Sequence, residues 1–399
     1  MEALLEITHL NVRIPVETGI LRPVRDVSLR VMPGKILCIV GESGCGKSMT
    51  LLALLGLLPA RAERTAETLK VGGNDLQTLS ARAIENLRGR AIGMIFQDPM
   101  TAFNPTMTVG RQLEEVHLRH MRQGRLAAHD KALQLMRQVG VSSPESRFSQ
   151  YPHELSGGLR QRMMIVMALM CDPMLLLADE PTTALDVTIQ AQILALIKRL
   201  RIELNIGIVF ITHDLGVVAA IADDIAVMYA GEIVETGTTR QVFSKPMHPY
   251  TRALFSCVPE ISSNIGRRNL DATSGRSARL GTIVGRVPSL TAPLTGCAFA
   301  ERCNYRVDAC TKAPIPLLRV GQLRTYGLSD APHTSPPQAS DDNLPMSRCL
   351  FTADALRHTS TTDTLAAHNS PCHTPLSTSA SSGALAAEST SCVVSRSAP

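Results

Sequence analysis

The chain has 399 residues, an apolar fraction of 44% and a formal net charge of +5, enough for one large domain or two modest ones with a real core. The small charge, with no Lys/Arg block interleaved with aromatics, argues against nucleic-acid binding; clusters such as Arg119, Arg122 and Arg125 read as solvated helix faces rather than as a membrane-contacting surface. No apolar run approaches the roughly 18 residues needed to span a bilayer, and the acidic start through Glu2 and Glu6 is not a signal peptide, so a cytosolic protein is expected, with its ten cysteines as thiols or metal ligands rather than disulfides.

From residue 1 to about 245, strand-like apolar runs alternate with helical patterns, as in α/β folds. Residues 35–40 predict a buried strand feeding a glycine loop. Residues 47–58 predict an apolar helix stopped by Pro59. The stretch from about 98 to 172 is mostly helical and predicts a helical insert in the α/β core. Residues 174–178 and 206–212 predict two more buried strands. Residues 246–351 are rich in Pro, Arg and Cys and predict a small irregular domain. Residues 352–399, rich in Ser, Thr and Ala, have no core-forming period and predict a disordered tail, in which Cys372, His373 and Cys392 are incidental. No internal repeat is visible.

The loop Gly41-Glu42-Ser43-Gly44-Cys45-Gly46-Lys47-Ser48 matches G-x-x-x-x-G-K-[ST] in full, after a strand and before a helix. With Met49 it would line a nucleoside triphosphate. Backbone N–H groups curl around the phosphates, the helix N-terminus favours the anion, Lys47 reaches the β- and γ-phosphates, and Ser48 can ligate Mg²⁺. Cys45 reads as a small filler, although a thiol there could make the site sensitive to alkylation. Asp179 and Glu180 end a strand of the same core: the first can hold Mg²⁺, and the second is placed to accept a proton from an attacking water. Ser156-Gly157-Gly158 would open a helix whose N–H groups point at an anion.

Together these motifs resemble the ATP-binding subunit of an ABC transporter. That resemblance implies a P-loop α/β core with a helical insert and a small cysteine-containing C-terminal extension. It implies ATP and Mg²⁺ as cofactors and ATP hydrolysis as the activity. Gln97 resembles the glutamine that senses Mg²⁺ and the γ-phosphate, Ser156 and Gly158 the signature that binds a γ-phosphate held by the opposite subunit, and Asp179 the Mg²⁺ acid. Glu180 resembles the catalytic base, Asp186 the acid at the dimer seam, and His213 the switch histidine. The family usually stacks an aromatic on adenine. That position falls at about Ile14, and no Phe, Tyr or Trp precedes Phe96, so adenine would be held by aliphatic contact, by an arginine plane such as Arg13 or Arg25, or by a partner subunit.

Within the family the likeness is to oligopeptide, dipeptide and nickel importers, on Phe96-Gln97-Asp98-Pro99, on the run from Asp179 to Gln192, and on His248-Pro249-Tyr250-Thr251. It implies an importer subunit on the cytoplasmic face of the inner membrane, below two transmembrane permease subunits and beside a related ATPase in a heterodimer. An extracytoplasmic solute-binding protein would choose the cargo. A soluble ABC ATPase acting on nucleic acid or ribosomes is the alternative, against which stand the single ATPase unit and the short insert. Cys297, Cys303, Cys310 and Cys349 are spaced C-x5-C-x6-C with a distant fourth. Four soft thiolates can bind zinc or a [4Fe–4S] cluster, or stay free and buried. Zinc pairs usually lie closer, and some relatives with this extension carry an iron–sulfur cluster on matching cysteines, so the resemblance points to the cluster ahead of zinc.

Overall fold

The apolar runs assemble into a sheet buried on both faces, in a computed structural model that describes residues 2–183, 185–258, 282–319 and 345–350. An antiparallel pair comes first, β1 (Leu5–Val16) and β2 (Gly19–Val31), then β3 (Ile36–Val40) and helix α1 (Lys47–Leu55). The short strands β4 (Glu63–Thr65), β5 (Thr68–Val71) and β6 (Asn74–Asp75) return to the first layer, before α2 (Ala81–Leu87) and β7 (Ile92–Ile95). The helical insert follows as α3 (Pro99–Ala102), α4 (Val109–His120), α5 (Arg125–Gln138), α6 (Pro144–Phe148) and α7 (Gly157–Leu169). The core resumes with β8 (Leu175–Asp179), α8 (Val187–Leu204), β9 (Gly207–Ile211), α9 (Leu215–Ile221), β10 (Asp224–Tyr229) and β11 (Glu232–Thr238). Helices α10 (Thr239–Ser244) and α11 (Pro249–Ser256) and the short strands β12 (Leu318–Arg319) and β13 (Met346–Ser347) complete the described part.

The central sheet runs β12-β13-β11-β10-β3-β9-β8-β7, parallel from β10 to β7 and antiparallel beyond β10. Side chains alternate across it, as a strand requires. Leu37, Ile39, Leu175, Leu177, Val209 and Ile211 face the antiparallel layer, where they meet Val12, Val27 and Leu69. Ile36, Cys38, Leu176, Ile208 and Phe210 face the helices, where they meet Met163, Ile165, Ile193 and Leu196. Burial on both faces explains why these strands read as continuous apolar runs.

Two differences from the sequence-based elements have simple causes. The helix expected over 47–58 ends at Leu55, because Gly56 takes a left-handed conformation (φ 65°) and closes the last turn three residues before Pro59. The antiparallel layer was not expected; in β1 and β2 the alternation is broken by left-handed His9 and Asp26, with a register shift between Ile7 and Leu10.

The described part of 246–351 builds on the α/β core. Its β13 extends the sheet by pairing Ser347 with Glu235. Tyr250, Phe255 and Phe299 are buried in the core that lies on the helical face of the sheet. Arg348, itself buried, donates to the carbonyls of Ile233 and Ile315 and to Asp26. The tail expected over 352–399 lies outside the described residues. No helix among the described residues is long and apolar enough to cross a membrane.

Candidate functional site

The phosphate loop leaves β3 and ends as the first turn of α1. Two glycines are imposed by close approach: a Cβ on Gly41 would lie 2.1 Å from the Met228 carbonyl oxygen, and one on Gly46 (φ 108°) would lie 1.9 Å from that of Pro23. No side chain caps the N-terminus of α1, so the N–H groups of its first turn face the loop's hollow, which suits an anion. Lys47 is buried and lies back over the loop, donating to the carbonyls of Gly41 (2.9 Å) and Glu42 (3.1 Å). An ammonium has three donors; the third meets only the Cys45 sulfur at 3.9 Å, a weak contact that a phosphate oxygen can replace. Ser43 and Gly44 form the exposed lip of the loop beside half-buried Glu42, and Met49 is half-buried in α1. Cys45 is fully buried and burial raises its thiol pKa; it is a packing residue, and the expected sensitivity to alkylation has no exposed thiolate to act through.

Strand β8 delivers the acids. Ser48 donates to Asp179 Oδ1 at 3.0 Å, placing two hard oxygen donors side by side, as a Mg²⁺ site requires. Burial raises the pKa of Asp179 and the charge of Glu180 adds to this, against the Ser48 hydrogen bond and Lys47. A divalent cation would reverse that balance. Glu180 follows in a left-handed conformation (φ 45°) that turns its side chain out of the strand. Its Oε2 collects three neighbours: Gln97 Nε2 at 3.3 Å, Thr183 Oγ1 at 3.1 Å and His213 Nδ1 at 3.2 Å. Gln97 comes from the end of β7 and His213 from the end of β9, so three strand ends converge on one carboxylate. Thr183 was not singled out from the sequence; its place in the turn after Glu180 was the available signal.

The signature stands apart. Ser156 is the N-cap of α7, its hydroxyl accepting from Leu159 N–H at 3.4 Å. Ser156, Gly157 and Gly158 open onto a groove of about 390 Å³ whose other walls include Arg162, Leu185, Asp186 and Ile189. No phosphate-loop residue lines that groove. Asp186 caps α8 by accepting from Ile189 N–H at 2.9 Å. Gly158 is fitted to the same seam, since a Cβ there would come within 3.0 Å of Ile189.

The residues expected to meet adenine differ in how available they are. Arg25 is ion-paired with Glu232, both side chains being 14% exposed, so its guanidinium is not a free stacking plane. Ile14 is half-buried in β1, and Arg13 is exposed.

The cysteines of the extension do come together. Cys297, Cys303, Cys310 and Cys349 line one closed cavity of about 10 Å³ together with His248. Gly296 lets the Cys297 and Cys310 backbones touch: Cys297 N–H donates to the Cys310 carbonyl at 2.7 Å, and a Cβ on Gly296 would lie 2.2 Å from that oxygen. Burial pushes the Cys297 thiol up to about 12, with Cys310 and Cys303 adding to the shift, and burial also raises Cys303. Among the described residues, however, no group of three or more His, Cys, Asp or Glu side chains is arranged to hold a metal ion, so the expected ligand set is not preassembled. The burial that raises Cys297 and Cys303 favours their protonated thiols unless a cation displaces the protons. His248 adds a second sign of incompleteness: burial pushes its pKa down to about 3, partly offset by the Arg348 backbone, and its buried Nε2 lacks a well-formed hydrogen bond.

Residues 24–183 match the ABC transporter family, and residues 234–310 match the oligopeptide/dipeptide transporter C-terminal region. A probable peptide ABC transporter ATP-binding protein of Sinorhizobium fredii is 49% identical over 79% of this chain and 91% of its own. The dipeptide transport ATP-binding protein of Bacillus subtilis is 45% identical over 78% and 90%, and the oligopeptide transport ATP-binding protein of the same organism 45% identical over 84% and 92%. Among solved structures, a bacterial ABC transporter cassette captured as a dimer is 25% identical with a TM-score of 0.53, covering 59% of this chain and 98% of that one.

Proposed function

The chain belongs to the ATP-binding proteins of ABC transporters, a family of ATPases, and from that premise we propose that it is the ATP-hydrolysing subunit of a bacterial di-/oligopeptide importer. Lys47 and the N-terminus of α1 bind the triphosphate. Ser48 and Asp179 would hold Mg²⁺, with Gln97 as a further oxygen donor; the cation supplies charge neutralisation at the γ-phosphate. Glu180 accepts the proton of the attacking water, oriented by Gln97 and His213. The observation that carries the reading is the separation within one chain: Gln97, Thr183 and His213 gather on Glu180 beside the Ser48–Asp179 pair, while Ser156 and Gly158 face another groove. A head-to-tail pair of such chains would bring each signature to the other's γ-phosphate, and hydrolysis would release the seam.

Peptide as cargo rests on the relatives' names and on the match of the C-terminal region. Neither favours action on nucleic acid or ribosomes. An importer subunit of this kind would work with two permease subunits and an extracytoplasmic solute-binding protein, at the cytoplasmic face of the inner membrane; a sister ATPase beside it belongs to the same proposal. A groove of about 320 Å³ walled by Leu57, Phe96, Val116, His120 and Met167, next in sequence to Gln97, suits a helix of the permease and would link docking to the γ-phosphate. Tagged chain should bring down two permeases and a sister ATPase from detergent-solubilised membranes. Recovery as a soluble particle with ribosomes or nucleic acid would favour the alternative.

Four soft thiols around the cavity suit a [4Fe–4S] cluster and equally suit zinc, to which His248 would add an imidazole; the family resemblance alone favours the cluster. Cys297, Cys303, Cys310 and Cys349 would hold it and have to move outward to do so. Its contribution would be structural, a pin for a segment with little core of its own. Anaerobically purified protein should be brown, with iron and acid-labile sulfide in equal amounts; colourless protein with stoichiometric zinc would overturn the assignment.

A further inference from the structure

Glu42, the second residue of the phosphate loop, is held by the C-terminal extension at two points. Arg302 Nη1 donates to Glu42 Oε1 at 2.9 Å and Oε2 at 3.2 Å, across 260 residues of sequence. The Tyr250 hydroxyl accepts from the Glu42 backbone N–H at 3.0 Å. Arg302 is itself fixed. Its side chain is 5% exposed. It also donates to the Tyr229 hydroxyl and to the carbonyls of Ile283 and Val284. Its guanidinium lies 5.7 Å from the Tyr229 ring and 5.9 Å from that of Phe299. The adjacent Cys303 lines the cysteine cavity, so the arginine is anchored from both sides.

We propose that Arg302 is a positioning residue for the nucleotide. Lys47 rests on the carbonyls of Gly41 and Glu42. Holding Glu42 therefore holds the carbonyls that aim the lysine at the phosphates. The pairing also neutralises a carboxylate that would otherwise stand, uncompensated, at the lip of a site for a polyanion. A guanidinium does both, since Nη1 spans the carboxylate while Nε and Nη2 are held by the Val284 and Ile283 carbonyls; a point charge does only the second. The inference rests on the nucleotide-site reading above.

The test is a charge cycle in the purified transporter complex, reading nucleotide affinity, KM for ATP and kcat. Arg302→Gln should raise KM by about tenfold or more, as a unit charge left facing a polyanion implies, with kcat within about threefold. Adding Glu42→Gln to that variant should recover part of the loss in KM but not all of it, because the bare carboxylate has gone while the loop remains unheld. Arg302→Lys, which keeps the charge and loses the fork, should fall between. A simple folding pin predicts the opposite pattern, since a second substitution cannot repair a lost pin. An unchanged KM in Arg302→Gln, or a double variant no better than it, overturns the proposal. If Arg302→Gln does not assemble, Arg302→Lys with and without Glu42→Gln carries the same comparison. Lys47→Ala, tested alongside, should abolish nucleotide binding; if it does not, the nucleotide site is misassigned, a failure distinct from that of Arg302.

Discussion

Replacing Glu180 by Gln keeps the side chain's size and removes its ability to take a proton. In the structure Oε2 of Glu180 faces Gln97 at 3.3 Å, Thr183 at 3.1 Å and His213 at 3.2 Å. An amide oxygen can still accept from one or two of them, so the local arrangement survives while base catalysis is lost. A positioned general base is worth about 10²- to 10⁴-fold, or roughly 2.7–5.4 kcal/mol of barrier. The Ser48–Asp179 pair and Lys47 are untouched, so ATP affinity should stay within about threefold of wild type. Phosphate release by the purified complex, measured with nucleotide binding on the same preparation, checks both numbers. The nucleotide-bound pair should also accumulate, because hydrolysis no longer releases the seam. Hydrolysis within about tenfold of the wild-type rate, with binding intact, would refute the assignment of Glu180 as the base.

Ser156→Ala removes a long N-cap contact, so unfolding free energy should drop by no more than about 1 kcal/mol. ATP turnover should nevertheless fall at least about tenfold, since a charge-stabilising donor at the γ-phosphate is lost; equal, small losses in both would deny the signature its role. Glu235 is buried, accepts from the backbone N–H groups of Met247 and His248, and has its pKa pushed up to about 7 by burial. Folding therefore favours its protonated form: the stabilisation is complete below the unfolded carboxylate range and is lost as pH rises towards 7. Against Glu235→Gln, wild-type stability should decline by on the order of 3 kcal/mol between pH 4.5 and 8, as read by denaturant unfolding; a pH-independent difference would contradict this. With Arg25 engaged and Ile14 at the expected aromatic position, kcat/KM for GTP should lie within about tenfold of that for ATP. Discrimination beyond about a hundredfold would place base recognition on another residue or on the partner.

The legible parts of the sequence were those in which chemistry is local. The phosphate loop, the acids after β8, and the serine opening α7 each depend on a strand end or helix start a few residues away, and each lies where the pattern put it. Runs such as Leu175–Asp179 were readable because both faces are buried. The end of α1 lies earlier than Pro59 implies because the left-handed closure at Gly56 acts first. The antiparallel layer was hidden by the kinks at His9 and Asp26, which break the period of two. The clamp on Glu42 could not be read at all: Arg302 is one arginine among many in an irregular segment, and only folding brings it across the chain. The four cysteines were legible as a set and line one cavity; the burial that raises the Cys297 and Cys303 thiols was not legible, because spacing carries no information on burial.

ATP-driven peptide uptake tests the central claim most directly. Proteoliposomes would carry the two permeases, this subunit and its sister ATPase, with ATP inside and peptide-loaded binding protein outside. The expected result is accumulation of di- or oligopeptide that requires ATP and is abolished by Lys47→Ala in this subunit alone. Peptide accumulation indifferent to Lys47, or ATP turnover indifferent to the loaded binding protein, would contradict it.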